Sequence, residues 1–348
     1  MPTDRWVRTL VGVIAVIAIF AALRIASSVI APVVCAVFII ALVWPMQSRL
    51  QKGMPKLIAL AIVIAVIALV FVIFASLVSW AFGRIGQSVV ANAGRFQILY
   101  GELTAWLEGH GVAVAGLWAE HFNVTWLIRT MQGVTARLNN TLTFWLIVLV
   151  YVILGLLEVD DLKRRLTTLE HRDGARLLLT GGAAIGEKFR RYMLIRTMMS
   201  LATGVLVWAL ASLFGLQFAA EWGIIAFALN YIPFIGPFVA TVFPTLYALA
   251  QFESWQAALA IFVCLNVIQF AIGSYIEPRV AGSVLAISPF LVLFSVFLWT
   301  YVWGLFGAFI GVPIAIALLT LCAQHPSSRW VADVLGGSKQ QQTTAMEG

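Results

Sequence analysis

The stretch Asn230-Tyr231-Ile232-Pro233-Phe234-Ile235-Gly236-Pro237-Phe238 decides how this chain folds. It lies in the middle of 31 residues, Trp222 to Phe252, that hold no Asp, Glu, Lys or Arg. One straight helix of that length would run about 46 Å at ~1.5 Å per residue. A bilayer core is only about 30 Å thick. Proline has no N–H to donate and clashes with the preceding turn, so two prolines flanking a glycine end a helix. The run is therefore expected to form two short helical limbs, Trp222–Leu229 and Phe238–Phe252, around a re-entrant turn near the bilayer midplane. Irregular backbone at membrane depth is tolerated only inside protein or against a watery cavity. Interrupted apolar segments of this kind point to a transport site.

The rest of the chain agrees with a membrane setting. It is 62% hydrophobic and 11% charged, with mean hydropathy +0.98, against roughly 25% charged residues in soluble domains. The apolar runs are continuous and do not alternate, which excludes a β-barrel. The expected fold is all-α and polytopic, with about eight membrane-inserted segments that include one or two broken hairpins. The net charge of +7 sits mostly in loops between apolar runs, as the positive-inside bias requires. No basic folded domain remains to hold nucleic acid, so the expected partners are the lipid bilayer and a small-molecule or ion substrate. Cys35, Cys264 and Cys322 lie in apolar runs without a CxxC pair, and the four histidines are scattered. No metal site, cofactor or catalytic constellation is predicted, and no Walker motif is present.

Charge divides the chain into segments. Residues 1–83 carry three apolar spans, the first an uncleaved helix because Arg24 and a second apolar run follow it at once. Residues 84–140 mix charge with apolar residues at helical spacing and read as an extracytoplasmic amphipathic insert. A span at 141–157 leads to the basic stretch 158–196, read as two cytoplasmic helices separated at Gly181-Gly182. Residues 197–323 form the expected transport core, and 324–348 a disordered cytoplasmic tail. Counting crossings puts both termini, the loop at 46–56 and the 158–196 stretch inside, in agreement with their lysines and arginines.

A second interruption falls in Val280 to Ser328, which is 49 residues without Asp, Glu, Lys or Arg. At its centre stands Trp303-Gly304-Leu305-Phe306-Gly307-Ala308-Phe309-Ile310-Gly311-Val312-Pro313. The segment 288–323 either crosses twice or forms a second hairpin facing the first from the opposite leaflet, as inverted repeats do. Gly307 and Gly311, at four-residue spacing, equally suit close helix packing. Between the interruptions, Asn266, Gln269, Gly273 and Glu277 fall on one stripe if the helix is regular. The stripe either lines a path or makes interhelical hydrogen bonds. Glu277 precedes Pro278, so its carboxylate stands at a helix end. It is suited to a proton or cation, or to an ion pair with Arg279. Asn230 can both donate and accept at the end of its half-helix. The candidate path residues are Asn230, Pro233, Gly236, Pro237, Asn266, Gln269, Glu277, Gly304, Gly307, Gly311 and Pro313.

Four motifs resemble the autoinducer-2 exporter family, which includes the PerM-type permeases of bacterial inner membranes. They are Leu-Asn-Tyr-Ile-Pro-Phe-Ile-Gly-Pro (229–237), Ile-Glu-Pro-Arg-Val-Ala-Gly (276–282), Ile-Ser-Pro (287–289) and Trp-Gly-Leu-Phe-Gly-Ala-Phe-Ile-Gly-Val-Pro (303–313). Their order and spacing match over about residues 185–322, while the first half matches by hydropathy. Tyr192 to Thr197 departs from the glycine–glutamine pair of many members. The resemblance implies a permease or exporter that assembles as a homo-oligomer, a pentamer being one form. One branch exports a quorum-sensing furanone and others resemble sodium–proton antiporters. The competing expectations are an uncoupled oligomeric channel and, on the soluble segments, a scaffold or sensor.

Overall fold

The computed structural model describes residues 3–110, 124–169, 173–281, 287–325 and 327–336. The expectations for 111–123, the centre of the insert, and for 337–348, the end of the tail, lie outside the described residues. The helices are α1 (Thr3–Ile25), α2 (Ser27–Leu50), α3 (Lys56–Ala91), α4 (Ala93–Gly109), α5 (Val124–Thr168) and α6 (Asp173–Leu213). There follow α7 (Ala219–Leu229), α8 (Ile235–Phe252), α9 (Trp255–Phe270), a π-helical stretch (Ala271–Ile276), α10 (Glu277–Ala281), α11 (Pro289–Gln324) and α12 (Arg329–Leu335). Among the described residues, eight helices are long and apolar enough to cross a membrane, and α7 is a shorter apolar helix. This is the all-α polytopic architecture the hydropathy requires.

The helix ends differ from the charge-defined segments at three places. The boundaries at 140 and 157 fall inside the single helix α5, which runs on through Gly155 and holds no proline. The pair Gly181-Gly182 does not separate two helices, and α6 runs through it. A helical glycine costs only about 1 kcal/mol against alanine. Here Gly181 also admits a close neighbour, since a Cβ on it would lie 3.0 Å from Leu321 Cδ2. The tail is helical at Arg329–Leu335.

The chain divides into two compact units. One comprises residues 1–66, 144–193 and 281–348. In it α2 is tied to α5 by the fully buried Gln47, whose Nε2 donates to the Leu156 carbonyl at 3.3 Å. Lys56 Nζ donates to the Leu157 carbonyl at 2.6 Å.

The helix α11 in this unit is a closed hairpin. Trp303 (φ −127°, ψ 16°) and Gly304 (φ 64°, ψ −143°) leave helical geometry. The chain reverses there because only glycine adopts the Gly304 angles without strain. A Cβ on Gly307 would stand 1.8 Å from the Trp299 carbonyl oxygen, and one on Gly311 2.8 Å from that of Ser295. These pairs are equidistant from Trp303, so the limbs run antiparallel with their backbones in contact. At the tip, Trp303 Nε1 donates to the Leu23 carbonyl at 3.1 Å, and Arg24 lies 4.2 Å over the Tyr301 ring. The tip is thus level with the C-terminal end of α1.

The second unit comprises residues 67–143 and 194–280. Its core gathers Ala81 and Ile85 of α3, Val207 and Ala211 of α6, Trp222, Ile225 and Ala226 of α7, Ala240, Tyr247 and Ala248 of α8, and Ile261 and Leu265 of α9. The α6 and α7 backbones touch: a Cβ on Gly204 would lie 2.8 Å from the Gly223 carbonyl oxygen, and the reverse holds equally. Small residues at such crossings let helices approach where no hydrophobic force drives them together.

Gly307→Val should open the α11 hairpin, because the Trp299 carbonyl is backbone and cannot move aside. We expect a loss of at least ~2 kcal/mol, the upper range of overpacking costs. Gly12→Ala, whose Cβ would meet nothing within 4 Å, should leave stability unchanged. Thermal unfolding of the purified variants in detergent checks both, and equal melting points would refute the backbone contact.

Candidate functional site

The broken element of the second unit is an antiparallel hairpin, α7 and α8, reversed over Asn230–Phe234. The turn is held by Ile232 N donating to the Leu229 carbonyl at 2.8 Å and Gly236 N to the Ile232 carbonyl at 3.0 Å. Phe234 takes φ 63°, a region that costs a non-glycine residue of order 1–3 kcal/mol. Gly236 and Pro237 occupy the first turn of α8 and are not part of the reversal itself. A Cβ on Gly236 would lie 1.9 Å from the Leu229 carbonyl oxygen, so glycine is required for the limbs to close. Pro233 is buried in the turn.

The open end of the hairpin is tied as firmly. Gln251 Nε2 donates to the Gly215 carbonyl and its Oε1 accepts from Gln217 N, both at 2.8 Å. The Tyr247 hydroxyl donates to Gln217 Oε1 at 3.0 Å and lies 2.9 Å from Ser88 Oγ of α3. Arg84 of α3 stands 2.7 Å from the buried Glu221, and Arg95 of α4 pairs with Glu253.

The tip is seated on one face of α6. Asn230 Nδ2 donates to Ser200 Oγ at 3.2 Å, and the Tyr231 hydroxyl donates to Thr197 Oγ1 at 2.9 Å. Ser200 is fully buried, and Asn230 is 5% exposed. The tip meets the first turn of the apolar stretch 197–213, because α7 begins at Ala219 and runs in backbone contact along α6 past Gly204.

The same face of α6 carries Arg196, which reaches Glu277. Arg196 Nη1 donates to Glu277 Oε1 at 2.5 Å, with the two side chains 7% and 14% exposed. The expected pairing of Glu277 with Arg279 is not formed. Residues two apart on a helix point in opposed directions, and Arg279 instead lies 3.6 Å over the Tyr275 ring.

The predicted polar stripe is also rearranged. The π-helical stretch Ala271–Ile276 inserts the equivalent of one residue, setting the later face back by about 100°. That moves Glu277 off the line of Asn266 and onto that of Gln269. Asn266 is exposed and spends its amide on the Phe262 carbonyl of its own helix, at 2.8 Å. Gln269 Nε2 is buried without a hydrogen-bond partner among the described residues. Gly273 is exposed, with open space around it.

The structure thus brings Asn230 and Glu277 to neighbouring positions on α6, through Ser200 and Arg196. It does not add Asn266 to them. Gly304, Gly307, Gly311 and Pro313 belong to the other unit, where Gly307, Gly311 and Pro313 are buried in the α11 hairpin. The residues that sequence reasoning missed are Arg196, Thr197 and Ser200. A signal was present: Arg196 has apolar residues on both sides, Met193 to Ile195 and Met198 to Met199. Its basic neighbourhood hid it among the loop arginines.

A polar cluster held at the tip of a broken apolar hairpin is an arrangement of membrane transport proteins. The family model for the "AI-2E family transporter" matches residues 13–326. The chain belongs to that family. It is similar to the AI-2 transport protein TqsA of Escherichia coli K12, 25% identical over 322 residues, which covers 91% of this chain and 92% of TqsA. A "Putative transport protein" of Haemophilus influenzae is 24% identical over 343 residues, 94% of this chain and 96% of its own length. The "Putative transport protein YhhT" of Escherichia coli K12 is 34% identical over 148 residues, 42% of this chain and 40% of its own. The protein is therefore a multi-pass membrane transporter.

Removing one partner of a buried ion pair strands the other charge. Arg196→Ala or Glu277→Ala alone should each cost roughly 3–5 kcal/mol, and the double variant less than the sum. A double-mutant cycle by thermal unfolding in detergent checks this, and additive losses would show that the pair is not coupled.

Proposed function

We propose that this transporter moves a small polar or amphipathic molecule across a bacterial inner membrane, driven by an ion gradient. The path runs beside the α7–α8 tip, along Asn230, Pro233, Gly236 and Pro237, and past Gln269 and Glu277. The observation that carries the reading is the buried Arg196–Glu277 pair next to irregular backbone. Charges out of water cost several kcal/mol even when paired, and within a membrane they mark ion and substrate pathways. Glu277 is the proton or cation carrier in this scheme, released from and returned to Arg196 during the cycle. Likeness to TqsA makes a signalling molecule of the AI-2 kind one candidate cargo. The α11 hairpin, with Gly304, Gly307, Gly311 and Pro313, serves as the second element of the transport core. Its tip beside the end of α1 supports two crossings over a shallow re-entrant loop. The assembly is a homo-oligomer, as family resemblance implies.

Flux in proteoliposomes, across candidate cargoes with imposed proton and sodium gradients, tests the scheme. Glu277→Gln should abolish gradient dependence while leaving assembly intact, and a fully active, gradient-dependent variant would remove Glu277 from the mechanism. Gradient-independent flux in the parent protein would favour an uncoupled channel. Sodium–proton exchange without cargo would favour an antiporter.

Sidedness follows from the charge pattern, with both termini and the 158–196 stretch cytoplasmic and the 84–140 segment outside. Cysteines at Gly109 and at the exposed Gly182 should react with impermeant thiol reagents from opposite sides of the membrane. Reaction of both from one side would overturn the assignment.

A further inference from the structure

We propose that Arg196 is the cargo-binding residue, that the cargo is a small organic carboxylate, and that Glu277 occupies its place when the site is empty. This rests on the transport reading above and specifies its substrate class. Three observations lead there. First, the Arg196 side chain is only 7% exposed, yet it is met by a single carboxylate oxygen through Nη1. Its Nε is buried and has no partner among the described residues. A guanidinium presents paired N–H groups that match the two oxygens of a carboxylate, and the edge that includes Nε is left open. An unpartnered buried donor is destabilising, the more so when it is charged, and an incoming acceptor would recover that cost.

Second, another buried donor, Gln269 Nε2, has no partner among the described residues, and the π-helical stretch that follows it brings Glu277 round to its line. An unpartnered donor of this kind calls for an acceptor, not for a cation. Third, the occupant already on Arg196 is itself a carboxylate, and it is carried on a five-residue helix that follows an irregular π turn. Such a carrier shifts at smaller cost than one in the middle of a regular helix. The hydroxyls of Thr197 and Ser200 and the Asn230 amide lie on the same face of α6. They suit a carboxylate with a short aliphatic or hydroxylated body. The exposed Tyr231–Thr197 hydrogen bond, one residue along α6 from Arg196, would part to admit it.

The test uses the full-length protein in lipid nanodiscs. The probes are lactate, butyrate and benzoate, each beside its neutral amide, with radiolabelled benzoate for equilibrium binding and thermal shift for the rest. Saturable binding of at least one carboxylate is expected, with its amide at least tenfold weaker. Glu277→Gln removes the internal competitor and should bind the carboxylate at least tenfold tighter. Arg196→Gln should abolish binding, and Arg196→Lys should retain it in weakened form. Should Arg196→Gln fail to fold, the Glu277→Gln affinity decides. Equal binding of acid and amide, unchanged affinity in Glu277→Gln, or no saturable binding to either protein would overturn the inference. Gradient-driven flux of a neutral cargo without carboxylate binding would sink this inference and leave the transport reading standing. Carboxylate binding with these variant effects but no flux would do the reverse.

Discussion

A helix interrupted among apolar side chains leaves carbonyls and amides that no water can reach, and both hairpins of this molecule are arranged around that constraint. Each exposed backbone group in lipid costs several kcal/mol, so an interruption survives only when protein surrounds it. Both hairpins meet the requirement in one way. A glycine after the reversal lets the second limb lie directly on the carbonyls of the first, Gly236 on Leu229 and Gly307 on Trp299. At these distances no side chain fits, and the limbs shield each other's polar backbone. What the limbs cannot cover is covered by a helix side, α6 for the Asn230–Phe234 turn and the end of α1 for Trp303.

The helix α6 therefore does two jobs with one face. Arg196, Ser200, Thr203, Val207 and Ala211 are all buried, at spacings of four, three, four and four residues. The apolar end of that stripe packs against α7, and the polar end receives the tip of the hairpin and the carboxylate of Glu277. Apolar packing alone would not choose a register between α6 and α7. The Gly204–Gly223 contact does choose one, and in that register Asn230 falls opposite Ser200. The position of the polar cluster is thus a consequence of where two glycines stand.

The all-α membrane architecture and the two broken runs were legible in the sequence because proline and glycine act locally and hydropathy is summed over whole spans, whereas the reversal itself falls at Asn230–Phe234, ahead of the Gly236 and Pro237 expected to form it. The stripe of Asn266, Gln269 and Glu277 was not legible, for a physical reason. Its phase depends on every residue between, and the π-helical stretch at Ala271–Ile276 shifts that phase without any proline to announce it. The Glu277 partner was hidden in the same way. Arg279 is near in sequence but faces away, while Arg196, eighty-one residues earlier, is brought near only by tertiary packing. The failure of Gly181-Gly182 to break α6 has a different origin. Glycine is expensive in an isolated helix, but here its missing side chain makes room for Leu321, and the packing outweighs the propensity.

The two ends of the α7–α8 hairpin are held with unequal strength, and this bears on how the site could open. At the open end stand two ion pairs, Arg84–Glu221 and Arg95–Glu253, the Tyr247 hydroxyl between Ser88 and Gln217, and a side-chain bracket from Gln251 onto Gly215 and Gln217. At the tip there are two neutral side-chain hydrogen bonds, Asn230–Ser200 and Tyr231–Thr197, each worth only about 1 kcal/mol net. The tip also carries the strained Phe234 backbone, whose release would offset part of the cost of parting from α6. A load shared between the ends displaces the weaker one first. In this hairpin that is the end lying against Arg196 and Glu277, so the contacts that must give way to expose the buried charges are the least costly ones in the element.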